Sequence, residues 1–475
     1  MRKIIILTAL CALSLTSLNS CEDILEEEVY SELDPSIILS TSGGVDKVLN
    51  SAYANALSSR GNDAFESLTL SGFTTGECWG LGGSVNAWLA PLSNFTWDAN
   101  NSALNSEWNR KYSAIRDANL VLDNIQNVTA SAEFIKTRTA EAKFIRAFSY
   151  SRIYKLFGPG PLFASSTDPD IIKAKASEEE FQNFVETNLT EAANDLPLVQ
   201  SEYGRATKGS ALGTLVKWYL NQKEWTRAAE TAKSVIDLNQ YELFPDYKGL
   251  FQITNEGNKE MIMVHPSVVN VAGNQTTALT LPTDYPSLPG QTIYAANTYF
   301  YDAFIDSFEE NDKRKELFIT EYVNVSGQTI YGYGNNKSFP YKYELDPDQA
   351  SAQNGIDIPE LRYADILLAR AEALNELNGI NQESVDILNQ VRNRSGIGSL
   401  EMASLDTESF RQALIKERAM EFFFEGKSRE DQIRYGTFIS SAVERGKPAK
   451  DHMQRFPIPQ REIDSNEKMV QNDGY

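Results

Sequence analysis

The sequence predicts a mostly α fold in which degenerate helix pairs form a scaffold and long irregular segments carry a binding surface. Three observations predict it. Apolar and aromatic residues recur at steps of three and four through much of the chain. Small alanines stand opposite bulky aromatics in two helix–turn–helix units. Two long stretches rich in Gly, Asn, Thr, Pro and aromatics lack helical spacing.

The chain opens with Met1-Arg2-Lys3, a short basic start, followed by an uncharged apolar run over 4–18. That run is too short for a membrane helix and polar sequence follows it, so it reads as a secretory signal over 1–20. Leu18-x-Ser20-Cys21 resembles the lipobox of bacterial lipoproteins. The resemblance implies cleavage before Cys21 and a lipid on that cysteine. One acyl chain anchors only marginally, so stable attachment implies more than one. Residues 21–36, with Glu22, Asp23 and Glu26 to Glu28, then read as an acidic tether. No later stretch approaches the ~20 apolar residues of a membrane helix.

Cysteine usage follows from this. Cys11 leaves with the signal and Cys21 carries lipid, so Cys78 is the one remaining thiol and no internal disulfide or Cys-based metal site is expected. The formal charge of −21 becomes −23 once Arg2 and Lys3 are removed, because 1–20 contains no acid. Such a chain is a poor ligand for phosphate backbones, which argues against nucleic acid as a partner. The two histidines, His265 and His452, lack a helical partner at metal-ligand spacing, and no cofactor or metal is expected.

The helices can be taken in order. Trp108, Tyr112, Ile115, Asn119 and Leu122 share one face. The stretch 140–157 carries Phe144, Ile145 and Phe148 on a similar face and stops at the breaker "FGPGPLF". Ala211, Leu215 and Tyr219 line a helix that turns at "NQKEW" into Trp225, Ala228, Ala229, Ala232 and Ile236. This unit has the size and small/large pattern of a tetratricopeptide repeat. A second pair joins Ala364, Leu367, Ala371 and Leu374 to Val385, Leu388 and Val391. One domain over 37–475 is expected: helical repeats over 37–250 with a loop insertion at 61–107, a loop-rich ligand region at 251–358, and a helical region at 359–475. Long loops on a rigid scaffold tend to carry function.

Several motifs resemble one family. "AEAKFIRAFSYSRIYKLFGPGPL" contains Arg146-Ala147-Phe148 and then Phe157-Gly158-x-x-Pro161-Leu162. "LRYADILLARAEALNELNG" precedes "LNQVRNRSG", and "IKERAMEFFFEG" sets out Glu417, Arg418, Glu421, Glu425 and Gly426. The chain ends in "FPIPQREIDSNEKMVQNDGY". Together, in this order, they resemble the SusD/RagB proteins, nutrient-binding outer-membrane lipoproteins of Bacteroidetes. One departure lies in "KSREDQIR", where Ser428 stands at the position of a family arginine.

The resemblance implies a cell-surface lipoprotein, outer-membrane anchored and facing the exterior, that captures an oligo- or polysaccharide and delivers it to a SusC-like TonB-dependent transporter. A peptide-binding RagB-like lid and a helical-repeat scaffold or adhesin without a sugar site remain alternatives. Sugar rings stack on Trp and Tyr while amides and carboxylates bond their hydroxyls. Trp79 and Trp88 lie in or beside the glycine-rich "GECWGLGG", with Asn86 as an accompanying amide. "GQTIYAANTYFYDAF" lies where the family commonly places an aromatic contact, which singles out Tyr294 and Tyr299, with Tyr331 and Tyr333 of "IYGYGNN" beside them. Trp97, Trp108, Trp218 and Trp225 are assigned to the core. No GxSxG, HExxH or CxxC occurs. Glu417, Glu421 and Glu425 share a helix face with cations nearby, so they read as a structural ion-pair helix and the protein as a non-enzyme.

Overall fold

A computed structural model describes residues 38–57, 63–83, 85–294 and 297–475. The signal, Cys21 and the acidic tether lie outside the described residues. The N-terminal half is helical: α1 (Ser42–Leu57), α2 (Asp63–Thr75), the strand β1 (Cys78–Leu81), α3 (Asn86–Asn94), α4 (Ser102–Asn124), α5 (Ala132–Phe157), α6 (Glu178–Asp195), α7 (Lys208–Asn221) and α8 (Trp225–Asp237). Short strands and single helical turns follow: β2 (Met261–His265), α9 (Thr276–Thr280), β3 (Asn297–Phe300), α10 (Asp302–Asp306), β4 (Phe318–Ile319), β5 (Glu321–Val323), β6 (Thr329–Tyr331), β7 (Phe339–Pro340) and β8 (Ile358–Arg362). The C-terminal part returns to helix with α11 (Tyr363–Asn378), α12 (Gln382–Arg394), α13 (Thr407–Glu421), α14 (Ser428–Arg434), α15 (Phe438–Glu444) and α16 (Gln460–Ser465).

Local chemistry sets the helix ends. Ser131 caps α5 by accepting from the Phe134 amide at 3.1 Å, and Gly158 at φ 81° stops it. Capping boxes start α6 (Ser177, Glu180), α7 (Thr207, Ser210) and α13 (Asp406, Ser409). The turn between α7 and α8 closes with Lys223 at φ 61° and the Glu224 amide on the Tyr219 carbonyl at 2.9 Å.

The helices stack in the succession α1, α4, α5, α6, α7, α8, α11, α12, each against the next. Ala228, Ala229 and Ala232 are buried between bulkier neighbours, as the small/large pattern requires. Trp97, Trp108 and Trp218 are buried, and Trp225 packs partly buried against the same core. A second cluster, built from Ala364, Leu367, Ala371, Val385, Leu388, Val391, Phe410 and Leu414, holds α11 to α12 and α13.

The span 61–107 corrects the expectation of a loop insertion, since it holds α2, α3 and the start of α4. In α2 the side chains from Ala64 to Thr75 are buried with the exception of Ser67, so no polar face exists to give the sequence a helical period.

The carboxylates of 417–425 are structural. Arg362, fully buried, bonds Glu260 at 2.5 Å, Glu421 at 2.9 Å and Glu425 at 2.7 Å. Arg314 bonds Glu417 at 2.6 Å, and Lys342 bonds Glu425 at 2.6 Å. Burial by itself would raise the Glu421 carboxyl, but Arg394, Arg362 and Arg314 overcome it and hold the group down at about 2. Ser428, at the departure from the family pattern, donates its hydroxyl to Glu77 at 2.8 Å.

Candidate binding surface

The site is built on β1 and β3, which pair antiparallel with Cys78 opposite Phe300 and Trp79 opposite Tyr299. Alternation along a strand sends neighbours to opposite faces. Cys78, Thr298 and Phe300 are therefore inward and fully buried, while Trp79 and Tyr299 emerge half-buried on the other face. Phe300 anchors the inner face against Phe318, Phe423 and Phe424, with ring centroids 5.1–5.9 Å away. Gly76, at φ 82°, turns the chain out of α2 into β1. Gly72 leaves room for this return, because a Cβ there would sit 2.8 Å from the Cys78 sulfur.

Trp79 and Tyr299 have ring centroids 5.3 Å apart with planes tilted 45°, and Tyr301 continues the row at 6.4 Å and 31°. On the other side, Tyr322 and Tyr285 lie 5.4 Å apart and both rest on Phe339 at 5.5 Å. Tyr322 donates its hydroxyl to Asp284 at 2.7 Å, and Asn324 donates to the other oxygen at 3.2 Å. Burial and then the charge of Asp284 raise the phenol pKa of Tyr299. The arrangement is a row of three half-buried rings, Tyr301, Trp79 and Tyr299, and a separate half-buried pair, Tyr322 and Tyr285.

The turn between β6 and β7 pins this row. Trp79 Nε1 donates to the Asn336 carbonyl at 2.8 Å. Asn336, left-handed at φ 55°, exchanges two bonds with Asp302 at the start of α10, at 2.9 and 3.0 Å. Beyond α10, Tyr333 donates to Asp306 at 2.7 Å and, with Tyr331, lines a shallow cleft of about 340 Å³. Tyr331 and Tyr333 are exposed, so they form a second aromatic group next to the row.

The remaining candidates separate. Tyr294 is 39% exposed, with its amide on the Ala278 carbonyl at 2.8 Å. Asn86 is half-buried as the first residue of α3, behind β1. Trp88 corrects the expectation of a ligand contact. It is 6% exposed on α3, edge-on to Phe65 at 6.1 Å, and its carbonyl accepts from Asn101, so its ring is spent on the core. Sequence reasoning missed Tyr301, Tyr322, Tyr285 and Asp284. Tyr301 had a signal, since "TYFY" places Tyr299 and Tyr301 two residues apart on one face. Among the described residues no cluster of His, Cys, Asp or Glu is arranged to hold a metal ion.

A family model described as the SusD family matches residues 270–475, and one described as "Starch-binding associating with outer membrane" matches residues 23–220. A SusD-like protein of Formosa agariphila is 24% identical over 97% of this chain and 98% of its own. The starch-binding protein SusD of Bacteroides thetaiotaomicron is 25% identical, with 84% of each chain covered. Among solved structures, a SusD superfamily protein of Parabacteroides distasonis superposes with a TM-score of 0.80 at 23% identity, over 91% of this chain and 98% of that one. A laminarin-binding SusD-like protein does so with a TM-score of 0.78 at 25% identity, over 91% and 99%.

Proposed function

The chain belongs to the SusD/RagB family, and on that footing we propose that it is a surface lipoprotein that captures a neutral glycan on the ring row and delivers it to a SusC-like TonB-dependent transporter in the outer membrane. The observation that carries the reading is the row itself. Tyr301, Trp79 and Tyr299, each half-buried, offer adjacent platforms to the C–H faces of a polysaccharide. Asp284, Asp302 and Asp306 border them and suit hydroxyl donors, while their negative charge disfavours an acidic polymer. The starch-binding and laminarin-binding relatives support a glycan as the ligand, and the outer-membrane description of the matching family supports the location. Lipidation at Cys21 supplies the anchor in this reading.

The scaffold alternative would be favoured by burial of Trp79, Trp88 and Tyr294 together with the absence of a concave aromatic platform, and of the three only Trp88 is buried. The carboxylates most suggestive of catalysis, Glu417, Glu421 and Glu425, are locked to buried cations, which favours binding without turnover. The test is affinity electrophoresis in starch, laminarin and pectin, with the same samples incubated for product release, and crosslinking in intact cells. Retardation in a neutral polysaccharide without hydrolysis, and recovery of a β-barrel partner, are expected. A lid held on a barrel needs more than about 2,000 Å² of total buried surface. Retardation by pectin alone, or turnover abolished by changing one carboxylate, would overturn the reading.

A further inference from the structure

A cavity lies away from the ring row, in the helical scaffold between α5, α7, α14 and β8. It has a volume of about 620 Å³, within the range of small-molecule sites. One wall is aromatic: Tyr154 and Trp218 lie 5.2 Å apart at 56°, and Gln182 fixes the Tyr154 hydroxyl at 2.7 Å. Among the lining residues Gln222 is half-buried and Arg455 exposed, whereas Arg152, Lys155 and Lys217 are mostly buried.

The charges inside are not matched. Glu430 alone serves Lys155 at 2.6 Å and Lys217 at 2.8 Å. Glu360 serves Arg152 at 3.4 Å and Lys427 at 3.7 Å while also bonding His265 at 3.0 Å. Of the six lining cations Arg434 and Arg455 pair with Glu372 and Glu178, and of the three lining carboxylates Glu224 pairs with Arg227, which leaves Glu360 and Glu430 facing Arg152, Lys155, Lys217 and Lys427. Asp365 relieves Lys217 at 3.1 Å, but it is also held by Arg418 at 2.9 Å. Glu107 stands 3.9 Å from Arg152 and is itself engaged by Arg110 and Lys111. Arg152 Nε is buried without a hydrogen-bond partner. Burial pulls the Lys155 ammonium down to about 8 against the attraction of Glu430, with Arg152 and Lys427 adding to the fall.

We propose that this cavity is a second binding site, for a small ring-bearing carboxylate of the sugar-acid class. The ring lies against Tyr154 and Trp218, and the carboxylate completes the coordination of Lys155 and Arg152. An anion here supplies negative charge beside mostly buried cations, where such a pair is stronger than in bulk water. The aromatic wall selects a ring over a bare inorganic anion. The site differs from the ring row in sign: carboxylates border the row, and excess cations line the cavity.

The test is saturation-transfer NMR on the purified protein with glucuronate, with glucose as the uncharged counterpart and sulfate as the bare anion. Glucuronate should bind at least tenfold more tightly than either. Lys155→Gln should weaken it about tenfold or more, and Gln222→Trp, which adds bulk at a half-buried lining position without removing a cation, should block it with the melting temperature kept. Trp79→Ala should leave it unchanged, so that failure here and failure of the glycan reading are separable. Equal binding of glucose, competition by sulfate at equal concentration, or glucuronate binding that survives both cavity variants would overturn the proposal.

Discussion

Trp79 and Tyr299 face each other across the β1–β3 ladder with ring centroids 5.3 Å apart, and the tryptophan is fixed by its Nε1 bond to the Asn336 carbonyl at 2.8 Å. Two rings from strands more than 200 residues apart in sequence are thereby held as one surface before any ligand arrives. Such preorganisation lowers the ordering cost of binding.

Removing either ring should reduce glycan affinity while the fold persists. If each stacking contact contributes about 1–3 kcal/mol, by analogy with base stacking on aromatic side chains, Trp79→Ala or Tyr299→Ala weakens binding roughly fivefold to over a hundredfold. Stability should fall by no more than about 2 kcal/mol, because both rings are already half-exposed. Affinity electrophoresis paired with thermal melts measures both quantities. A variant that melts early yet still binds would place these rings in the core.

Trp88→Ala should behave in the opposite way. Its ring is buried against Phe65, so truncation should cost about 3–5 kcal/mol. Urea melts should show the loss, and the fraction that remains folded should keep the wild-type affinity.

Glu77 makes stability depend on pH. Burial raises its carboxyl to about 7, against the Phe424 amide, the Ser428 hydroxyl and Lys342, which lower it. The folded state therefore holds a proton that the unfolded state releases near 4.5. The stabilisation is complete below that pH and is lost as pH rises through about 7, amounting to about 3 kcal/mol. Glu77→Gln, which copies the protonated form, should be more stable than wild type at pH 8 and about equal at pH 4.5. Parallel stability curves for the two proteins would refute this.

Arg362→Met should destabilise strongly, by about 3–5 kcal/mol, because Glu260, Glu421 and Glu425 would be left with buried charge and fewer partners. Chemical denaturation checks the size of the effect. A change below about 1 kcal/mol would mean that Arg314, Lys342 and Arg394 compensate.

What the sequence disclosed follows from where each element meets solvent. The paired helices α7 and α8 were legible because alanines and aromatics face inward while polar residues face out. Helix α2 was hidden because burial on all sides erased its period. Trp88 misled because its glycine-rich neighbourhood suggests a loop, whereas its burial is set by Phe65, more than 20 residues upstream. Trp79, flanked by the same glycines, does emerge on an open face. Tyr322 and Asp284 meet through a bond between the β5–β6 hairpin and the turn around 284, which no local spacing encodes.

Glu77 ties the strand of Trp79 to the far end of the chain, accepting from the Phe424 amide across 347 positions and from Ser428 across 351. A recombination breakpoint anywhere in that interval would bring the platform and its mooring from different parents. An exchanged segment that carries the strand of Trp79 would therefore have to bring a matching carboxylate at 77 or meet a hydroxyl at 428 that can serve it.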